Sequence, residues 1–284
     1  MKKYTLINNN IIEKNSTSIS TDDRAFRFGD STFQSIKVYE GSLYDLDIYI
    51  NRLINSSKTL KFNFKPNITE IKKNLHDLVI MNNIKNGTLR INLSRGSKSM
   101  GYLPANNTDI CLVANCYNTP PNNTKNDVIG ISDITLWDMP LDFAAVKNSR
   151  SINYIMAKIS AHEKGHYDDI ILTKEGLIAE CSSSNIFWIK DSTIYTPDIK
   201  CGIYPGHIRS KIINSDNFNI KFSEAKTQDI IDSEEIFLTN SNLLVKSIKN
   251  LKIGDDNYEK NSLISQEISS YLKQDLHLYH KNHG

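Results

Sequence analysis

Two clusters of polar residues lie between apolar runs, and they contain the side chains that could do chemistry. One cluster, AECSSSN at positions 179–185, separates two runs typical of strands, and the other, DDRAFRFGD at 22–30, precedes a third such run. A glutamate between apolar runs, such as Glu180, is expected to be at least partly buried, and it then needs a hydrogen-bonding or cationic partner. The alternative for Glu180 is a loop carboxylate that caps a turn.

The absence of several common catalytic motifs narrows the classes of function that the sequence supports. The sequence contains no GxGxxG, GxxxxGK[ST] or GxSxG motif, so dinucleotide binding, P-loop chemistry and a hydrolase elbow lose their usual signatures. The cysteines form no CxxC pair, which argues against structural zinc and favours reduced thiols in the cytoplasm. No metal is expected.

The elements that would position these clusters mix strands and helices without strict βαβ order, which is typical of an α+β fold with two sheet-containing lobes. The patterns predict strands at 34–39, 42–44, 87–94, 109–115, 128–137, 169–173, 177–179, 185–190, 193–196 and 235–239. They predict helices over 46–60, from 67, over 152–165, from 205 and over 262–274. The helix from 67 begins with NITE, which resembles a capping box, and carries on one face Ile71, Leu75, Leu78 and Val79. The helix over 152–165 carries on one face Ile152, Ile155, Met156 and Ile159.

A segment rich in asparagine and proline, YNTPPNNTKND at 117–127, is typical of a linker. It predicts an N-terminal α/β lobe at 1–117, a linker at 118–127 and a C-terminal lobe at 128–284. Each lobe is long enough to be a domain.

The composition is that of an ordinary soluble globular protein, with 39% apolar and 23% charged residues among 284. A net charge of +2 gives no field strong enough to indicate nucleic acid or an anionic membrane as a partner. The apolar runs are too short for a transmembrane helix, and the first residues lack the apolar core of a signal peptide. A cytoplasmic location is therefore expected.

Seven stretches of the chain, in this order and spacing, resemble the class IV, or fold-type IV, pyridoxal-phosphate enzymes. This family comprises branched-chain and D-amino-acid aminotransferases and aminodeoxychorismate lyase. The stretches are DRAFRFGDSTFQSIKVYEG, LDIYINRL, RINLSRGSKSMGY, KNSRSINYIMAKISAHEKG, AECSSSNIFWIKDSTIYTP, GIYPGHIR and EIFLTNS. The resemblance implies a two-lobed fold with a smaller N-terminal domain, a larger C-terminal domain that binds the cofactor, and pyridoxal 5'-phosphate as that cofactor.

The resemblance assigns the lysine that holds the cofactor covalently to Lys147, eleven residues before Lys158 in the segment that matches the family's V-L-A-K helix. A lysine suits this role because its amine binds the cofactor aldehyde and, once freed, moves the α-proton of the substrate. The family's usual K-[ST]-x-N is here KNSR at 147–150. A shifted match with Arg150 in the lysine's place would need a gap and would leave no base.

The resemblance also assigns the cofactor-binding residues. Glu180 matches the carboxylate that pairs with the pyridine nitrogen, where a nearby anion keeps the nitrogen protonated so that the ring accepts electrons. Arg52 matches the arginine that grips the phosphate, whose oxygens suit the forked donors of a guanidinium. The further residues assigned to cofactor binding are Lys147, Ser184, Asn185, His207, Ile208, Thr239 and Asn240.

Two segments match the loops that hold the phosphate in this family. GHIR at 206–209 matches the P-G-I-T-R turn, whose backbone N–H groups at a helix start can bind phosphate. Ile208 stands where many relatives have threonine, so one hydroxyl contact is missing from the match while the amide contacts remain. Asn240, in TNS at 239–241, either binds phosphate or closes a turn.

Four residues are predicted to bind the substrate. Arg90 lies on a predicted strand, and it would bind a carboxylate if it faced inward but would have no special role if it faced outward. Phe33 takes the family's aromatic position, with simple packing as the alternative. Met100 replaces the second arginine of the lyase pattern R-G-x-x-x-R-G-Y and, with the next glycine, is similar to the G-M-G-[VY] turn of branched-chain enzymes. Tyr102 completes the set.

The resemblance therefore implies an aminotransferase that moves an amino group between an amino acid, branched-chain or similarly apolar, and a 2-oxo acid. The alternatives are an aminodeoxychorismate lyase that releases pyruvate, a D-amino-acid aminotransferase, and a non-catalytic descendant that binds a ligand. The resemblance also implies a homodimer, in which a loop from the smaller lobe of one subunit helps to close the site of the other.

Overall fold

The computed structural model describes residues 3–119 and 126–283, and the chain forms two compact units. Unit 1 comprises Met1–Pro120, Val146–Arg150 and Asp275–Gly284, and unit 2 comprises Pro121–Ala145 and Ser151–Gln274. Two segments that were predicted to lie in the C-terminal lobe, 146–150 and 275–284, thus belong to the same unit as the N-terminal segment. Of the predicted linker at 118–127, residues 120–125 lie outside the described residues.

Unit 1 is built on an antiparallel sheet with the strand order β2-β1-β6-β5-β3-β4. Its elements are β1 (Tyr4–Ile7), β2 (Asn10–Glu13), α1 (Arg24–Phe28), β3 (Ser31–Tyr39), β4 (Ser42–Leu43), α2 (Leu46–Thr59), α3 (Ile68–Met81), β5 (Gly87–Ser94) and β6 (Cys111–Asn118). In β5 the side chains of Leu89, Ile91 and Leu93 are buried while Arg90 is exposed, because successive side chains of a strand point to opposite faces.

Helix α3 has the face that its sequence predicts. Its N-cap residue Asn67 accepts a hydrogen bond from the backbone N–H of Glu70 at 3.3 Å, which is one half of a capping box. The buried residues of this helix are Ile71, Leu75, Leu78 and Val79. These side chains pack into the core of unit 1 together with apolar residues of α2, β3 and β5.

Unit 2 contains two sheets, one in the order β12-β11-β10-β13-β14 and one in the order β16-β15-β7-β8-β9. Its strands are β7 (Val128–Ile131), β8 (Asp168–Leu172), β9 (Ile178–Cys181), β10 (Asn185–Lys190), β11 (Thr193–Pro197), β12 (Ile220–Ser223), β13 (Glu235–Asn240), β14 (Leu244–Ile248), β15 (Asn250–Ile253) and β16 (Asp256–Glu259). Its helices are α4 (Leu141–Ala144), α5 (Ile152–Glu163), α6 (His207–Ile213), α7 (Thr227–Ile231) and the first part of α8 (Leu263–His283).

The strand predicted at 128–137 is shorter in the structure and ends at Ile131. The Ser132 hydroxyl accepts a hydrogen bond from the backbone N–H of Ile134 at 3.0 Å. Such a local side-chain bond competes with the sheet ladder and turns the chain away from it.

Helix α5 forms where it was predicted, but its apolar stripe faces outward. The stripe consists of four residues that are 44–51% exposed, namely Ile152, Ile155, Met156 and Ile159. The buried residues of α5 are Asn153, Ala157 and Ala161. A contiguous exposed apolar face of this kind is characteristic of an interaction surface.

Helix α8 was predicted over 262–274 but continues to His283. Contacts within unit 1 account for the added turns. The Ser42 hydroxyl lies 2.8 Å from Nδ1 of His280, and the hydroxyl of Tyr44 donates to Asp275. None of the helices in residues 3–119 and 126–283 has the length and apolar run that crossing a bilayer requires.

Candidate active site

Glu180 lies on β9 with only 4% of its surface exposed, so it is a buried strand residue and not a turn-capping loop carboxylate. Its Oε1 accepts hydrogen bonds from the Tyr154 hydroxyl at 2.8 Å and from the backbone N–H of Tyr204 at 3.3 Å. Its Oε2 accepts from the same N–H at 3.2 Å and from Nδ2 of Asn185 at 3.3 Å. A buried carboxylate needs hydrogen-bond donors, and Tyr154, Tyr204 and Asn185 supply them. These hydrogen bonds also fix the orientation of the carboxylate.

Asn185 connects the start of β10 to the turn that precedes α6. Its Nδ2 donates to the backbone carbonyl of Tyr204 at 2.7 Å, and its Oδ1 accepts from the backbone N–H of Gly206 at 3.2 Å. A Cβ on Gly206 would lie 2.2 Å from that Oδ1, so this close approach of backbone and side chain requires glycine.

Helix α6 begins with two of the predicted cofactor-binding residues, His207 and Ile208, which are 6% and 1% exposed. The first N–H groups of any helix have no intrahelical acceptor, which is the general basis for anion binding at such ends. The next residue, Arg209, donates to the carbonyl of Pro197 at 2.8 Å and to Oγ1 of Thr196 at 3.3 Å. Its buried guanidinium therefore ties α6 to β11.

Thr239 lies on β13 directly opposite Asn185 in the sheet register. Its side chain is 1% exposed, and its Oγ1 has no hydrogen-bond partner within residues 3–119 and 126–283. A buried hydroxyl without a partner is costly, so the position favours a bound group that supplies one.

Asn240 closes a turn, which is one of the two roles predicted for it. Its Oδ1 accepts the backbone N–H groups of Asn242 and Leu243, each at 2.9 Å. Its Nδ2 donates to the Ser184 hydroxyl at 3.0 Å and to the Ser183 carbonyl at 3.1 Å. Asn240 thus joins the end of β13 to the turn after Glu180, and its phosphate contact stays a prediction.

Asp168, which was not predicted from the sequence, supports the turn that follows β9. It is fully buried and accepts the hydroxyl of Ser182 at 2.9 Å and its backbone N–H at 3.2 Å. Its Oδ2 also lies 3.4 Å from Nζ of Lys158. An aspartate directly before an apolar run, in DDIIL at 168–172, was the signal that could have identified it, because a carboxylate that begins a buried strand requires polar partners.

An expected absence of the HExxH pattern of zinc proteases is wrong for this sequence, because HEKGH at 162–166 fits it. That chemistry requires both histidines on one face of a helix. Helix α5 ends at Glu163, and His166 lies beyond its end, with Nδ1 2.7 Å from buried Asp169. Within residues 3–119 and 126–283, no group of three or more histidine, cysteine, aspartate or glutamate side chains could hold a metal ion.

In unit 1 the ring of Phe33 brings three of the predicted residues together. The carbonyl of Lys147 accepts the Phe33 N–H and the Thr32 hydroxyl, both at 2.9 Å, which fixes the main chain of Lys147 on β3. Nζ of Lys147 lies 5.1 Å from the centroid of the Phe33 ring, and Cζ of Arg90 lies 4.0 Å from it. Cations are attracted to the face of an aromatic ring at such distances.

Met100 and Tyr102 lie in the loop between β5 and β6 and are 79% and 88% exposed. The loop itself is fixed by buried Arg24, which donates to the carbonyls of Gly101 at 2.6 Å and Tyr102 at 2.9 Å. The main chain at these positions is therefore held, while the predicted substrate-binding side chains project outward.

The polar cluster at 22–30 connects several elements of unit 1 through Asp30. Its Oδ2 lies 2.8 Å from Nε of Arg24 and 2.7 Å from Nε of Arg95. Burial raises the pKa of Asp30, but hydrogen bonds and charge from Arg95 and Arg24 outweigh it, so the pKa lies below its ordinary value. Arg95 also donates to the carbonyl of Leu60 at 2.8 Å, which links β5 to the end of α2.

The predicted site residues divide between the two units. Those in unit 1 are Phe33, Arg52, Arg90, Met100, Tyr102 and Lys147. Those in unit 2 are Glu180, Ser184, Asn185, His207, Ile208, Thr239 and Asn240. Arg52 lies on α2 and is half-buried, and its contact with phosphate stays a prediction, as do the roles of the other residues.

The geometry above is accompanied by a family match over most of the chain. Residues 31–251 match the model of the amino-transferase class IV family. The chain therefore belongs to the class IV aminotransferases, and it is an enzyme with the two-lobed α+β fold of fold-type IV pyridoxal-phosphate enzymes.

Its relatives within this family carry different names. The chain is 26% identical over 257 residues to D-alanine aminotransferase of Bacillus licheniformis, covering 88% of this chain and 89% of the relative. It is 26% identical over 283 residues to aminodeoxychorismate lyase of Bacillus subtilis, covering 95% of each. Its fold is similar to that of the branched-chain amino acid aminotransferase of Escherichia coli, with a TM-score of 0.85, 17% identity and coverage of 95% of this chain and 93% of the other. Family membership therefore leaves the substrate open.

The cofactor of this family is pyridoxal 5'-phosphate, and unit 2 contains features that fit it. The Thr239 hydroxyl lacks a partner in the described structure, and a phosphate oxygen would supply one. The oriented carboxylate of Glu180 suits a protonated ring nitrogen, because charge-assisted hydrogen bonds are strong. Gly206 keeps a side chain out of the turn before α6, where the backbone could approach a ligand.

Proposed function

We propose that this enzyme is an aminotransferase that moves an amino group between a branched-chain or similarly apolar amino acid and a 2-oxo acid. The observation that supports the proposal is the buried carboxylate of Glu180, which Tyr154, Asn185 and Tyr204 orient by hydrogen bonds. In sequence, Glu180 matches the family's partner of the ring nitrogen. The Phe33 ring suits an apolar side chain. The guanidinium of Arg90 over that ring suits the distal carboxylate of an acceptor such as 2-oxoglutarate.

Each residue of the proposed site has a distinct task. Pyridoxal 5'-phosphate, when bound, supplies an electron-accepting ring. Lys147 holds the cofactor covalently and, once its amine is released, moves a proton to and from Cα of the substrate through Nζ. Glu180 keeps the proton on the ring nitrogen. Arg52 and the backbone N–H of Ile208 bind the phosphate.

Further residues on the cofactor side act by contact with the phosphate or by shaping its surroundings. Thr239 donates its hydroxyl to the phosphate. Asn185 orients Glu180 and the turn at Gly206. Ser184 and Asn240 hold the two loops together, and His207 supplies a backbone N–H at the start of α6.

Reduction with borohydride tests this proposal. The purified protein with pyridoxal 5'-phosphate should show the absorption band of a lysine-bound cofactor, and reduction followed by peptide mapping should place the label on Lys147. Lys147→Arg should abolish the label, whereas the matched Lys200→Arg on the surface of unit 2 should retain it. A label on Lys158, or no label, would contradict the assignment of Lys147, and the absence of any label would favour a non-catalytic descendant.

A second candidate function is the lyase, which is favoured by the match to the Bacillus subtilis enzyme over 95% of both chains. Incubation with aminodeoxychorismate in the absence of a 2-oxo acid separates the two, because a lyase releases pyruvate without an amino acceptor. D-Amino-acid transamination is tested by a panel of L- and D-amino acids with several 2-oxo acids. The proposed enzyme should prefer apolar L-amino acids.

The proposed enzyme acts as a homodimer in the cytoplasm, where its described cysteines are free thiols. The exposed apolar stripe of α5 supports an interface with a second copy. The exposed side chains of Met100 and Tyr102 support a loop that helps to close the site of the partner subunit.

Charge placed in the α5 stripe tests the dimer. Ile155→Lys should shift the sedimentation velocity from dimer to monomer, because a desolvated lysine in an apolar interface is costly. The matched Ile80→Lys changes a residue that is 73% exposed on α3, and it should leave the dimer intact. An unchanged sedimentation coefficient for Ile155→Lys would exclude the α5 stripe as the interface.

A further inference from the structure

Tyr154 contacts Glu180 directly and has no task in the proposed site. It lies in the first turn of α5, and its hydroxyl donates to Oε1 of Glu180 at 2.8 Å. Burial and the neighbouring Glu180 charge raise the pKa of the Tyr154 phenol well above its ordinary value. The phenol therefore keeps its proton at neutral pH and acts as a donor to the carboxylate.

We propose that Tyr154 is a positioning residue that keeps Glu180 ionised, so that the proton shared between Glu180 and the cofactor's ring nitrogen stays on the nitrogen. This inference rests on the proposed pairing of Glu180 with that nitrogen. A hydrogen bond to the charged form of a carboxylate makes it a weaker base. A proton between two bases lies mainly on the stronger one, so weakening Glu180 moves the proton toward the nitrogen.

The donors to Glu180 from Tyr204 and Asn185 also belong to, or fix, the main chain around the site, whereas the Tyr154 hydroxyl is a side-chain donor that contacts Glu180. The N–H of Tyr204 belongs to the main chain, and Asn185 also fixes the turn before Gly206. The titratable groups of the described part of unit 2 that interact electrostatically with Glu180 include the cation of Arg209 and the buried, protonated thiol of Cys181.

The contact of Tyr154 can be removed without removing its packing. Its ring packs against a small apolar cluster of unit 2 that includes Leu136, Ala157 and Ala179. Phenylalanine keeps that ring and loses only the hydroxyl. Tyr154→Phe therefore deletes one donor to the carboxylate and leaves the fold of the first turn of α5 in place.

The experiment uses the holoenzyme with pyridoxal 5'-phosphate labelled with nitrogen-15 in the ring. The nitrogen chemical shift reports protonation, and in the wild type it should lie on the protonated side of the midpoint, short of the fully protonated limit. In Tyr154→Phe it should move toward the unprotonated position, with about a tenfold change in the proton distribution, the effect of about one hydrogen bond to a charged group. The matched Tyr195→Phe removes a hydroxyl elsewhere in unit 2, from a ring that stacks on Trp188, and should leave the shift unchanged.

A double-variant comparison separates positioning from general damage. In a Glu180→Gln background the carboxylate is absent, so adding Tyr154→Phe should produce no further shift. If the wild type shows no cofactor absorption band, the proposed function itself is wrong. If the wild type binds the cofactor and Tyr154→Phe leaves the nitrogen shift unchanged, only the inference about Tyr154 is overturned.

A second measurement applies if Tyr154→Phe does not fold. With 3-fluorotyrosine in place of Tyr154, the phenol is a stronger donor of nearly the same size. The nitrogen signal should then move further toward the protonated position. A shift in the opposite direction, or none, would contradict the proposed effect of the phenol on Glu180.

Discussion

The two units hold their candidate site residues by different kinds of contact. In unit 2 the carboxylate of Glu180 receives directional hydrogen bonds, with a main-chain N–H among the donors. In unit 1 the cationic groups of Arg90 and Lys147 lie over the ring of Phe33, a contact that tolerates some change of angle. We therefore expect unit 2 substitutions to affect the chemical step and unit 1 substitutions to change affinity more gradually.

Lys147 combines both kinds of contact. Its carbonyl accepts two hydrogen bonds from neighbouring residues of β3, which fixes its main chain. Its amine lies at the end of a flexible four-carbon chain, close to Phe33. This arrangement suits a residue that must bind, release and then move a proton, and it explains why a unit 1 residue is expected to be catalytic.

The largest expected effect follows a substitution of Glu180, the residue in unit 2 that is held by directional hydrogen bonds. Glu180→Gln keeps the shape of the side chain but removes its charge, so the ring nitrogen loses its anionic partner. We expect kcat to fall by about 100-fold or more, in line with the loss of a preorganised charge in an active site. Steady-state transamination rates with saturating cofactor measure this effect.

The matched control is Glu175→Gln, at an exposed position in a turn of the same unit. Its kcat should equal that of the wild type. If Glu180→Gln also kept the wild-type kcat while still binding the cofactor, the proposed charge pairing would have to be abandoned.

Local patterns in the sequence predict some elements of both units but not their surroundings. Helix α3 could be predicted because its cap and its buried face are encoded within fourteen consecutive residues. The stripe of α5 has the same periodicity, yet it is exposed, because periodicity alone does not tell a core face from an exposed one. Strand β16, with the polar sequence DNYE, carries no apolar alternation and forms by pairing with β15.

The candidate site shows the same limit. Lys147 and Glu180 could be selected because the sequence around each resembles a family motif. Tyr154 could not, and for Asp168 the sequence indicates only that the carboxylate needs polar partners, not which ones. Their partners are distant in sequence: the Tyr154–Glu180 bond spans 26 positions and the Asp168–Ser182 bond spans 14. Only the folded sheet brings such residues together.

An intermediate effect is expected at Asp30, where unit 1 does use directional bonds. Asp30→Asn removes the charge that two arginines share, and we expect it to lower the free energy of unfolding by about 2 kcal/mol at pH 7, because it leaves partly buried cations uncompensated. The pKa of Asp30 is lower in the folded state than in the unfolded state, where it lies near 3.8. The charge of Asp30 therefore stabilises the protein at pH values above the unfolded-state pKa. That stabilisation is lost as the pH falls through the folded-state pKa.

Urea unfolding of the wild type and Asp30→Asn between pH 3 and pH 7 measures this difference. The difference in the free energy of unfolding between the wild type and Asp30→Asn should be largest at neutral pH and should decrease below about pH 4. Asp77→Asn is the control, since Asp77 forms an exposed pair with Lys73 on α3 and should change stability by less than about 0.5 kcal/mol. A gap that widens in acid would contradict the lowered pKa of Asp30.

The smallest expected effect tests whether the aromatic contact in unit 1 tunes affinity. Arg90→Gln leaves β5 intact because the residue is exposed, but it removes the cation over Phe33. KM for 2-oxoglutarate should rise about tenfold, the loss of about one charge-assisted hydrogen bond, while kcat with the apolar amino acid changes little. The matched Lys65→Gln, at an exposed position of the same unit, should leave both constants unchanged. A fall in kcat with an unchanged KM would place Arg90 in the chemical step, and the contrast between graded contacts in unit 1 and fixed ones in unit 2 would no longer hold.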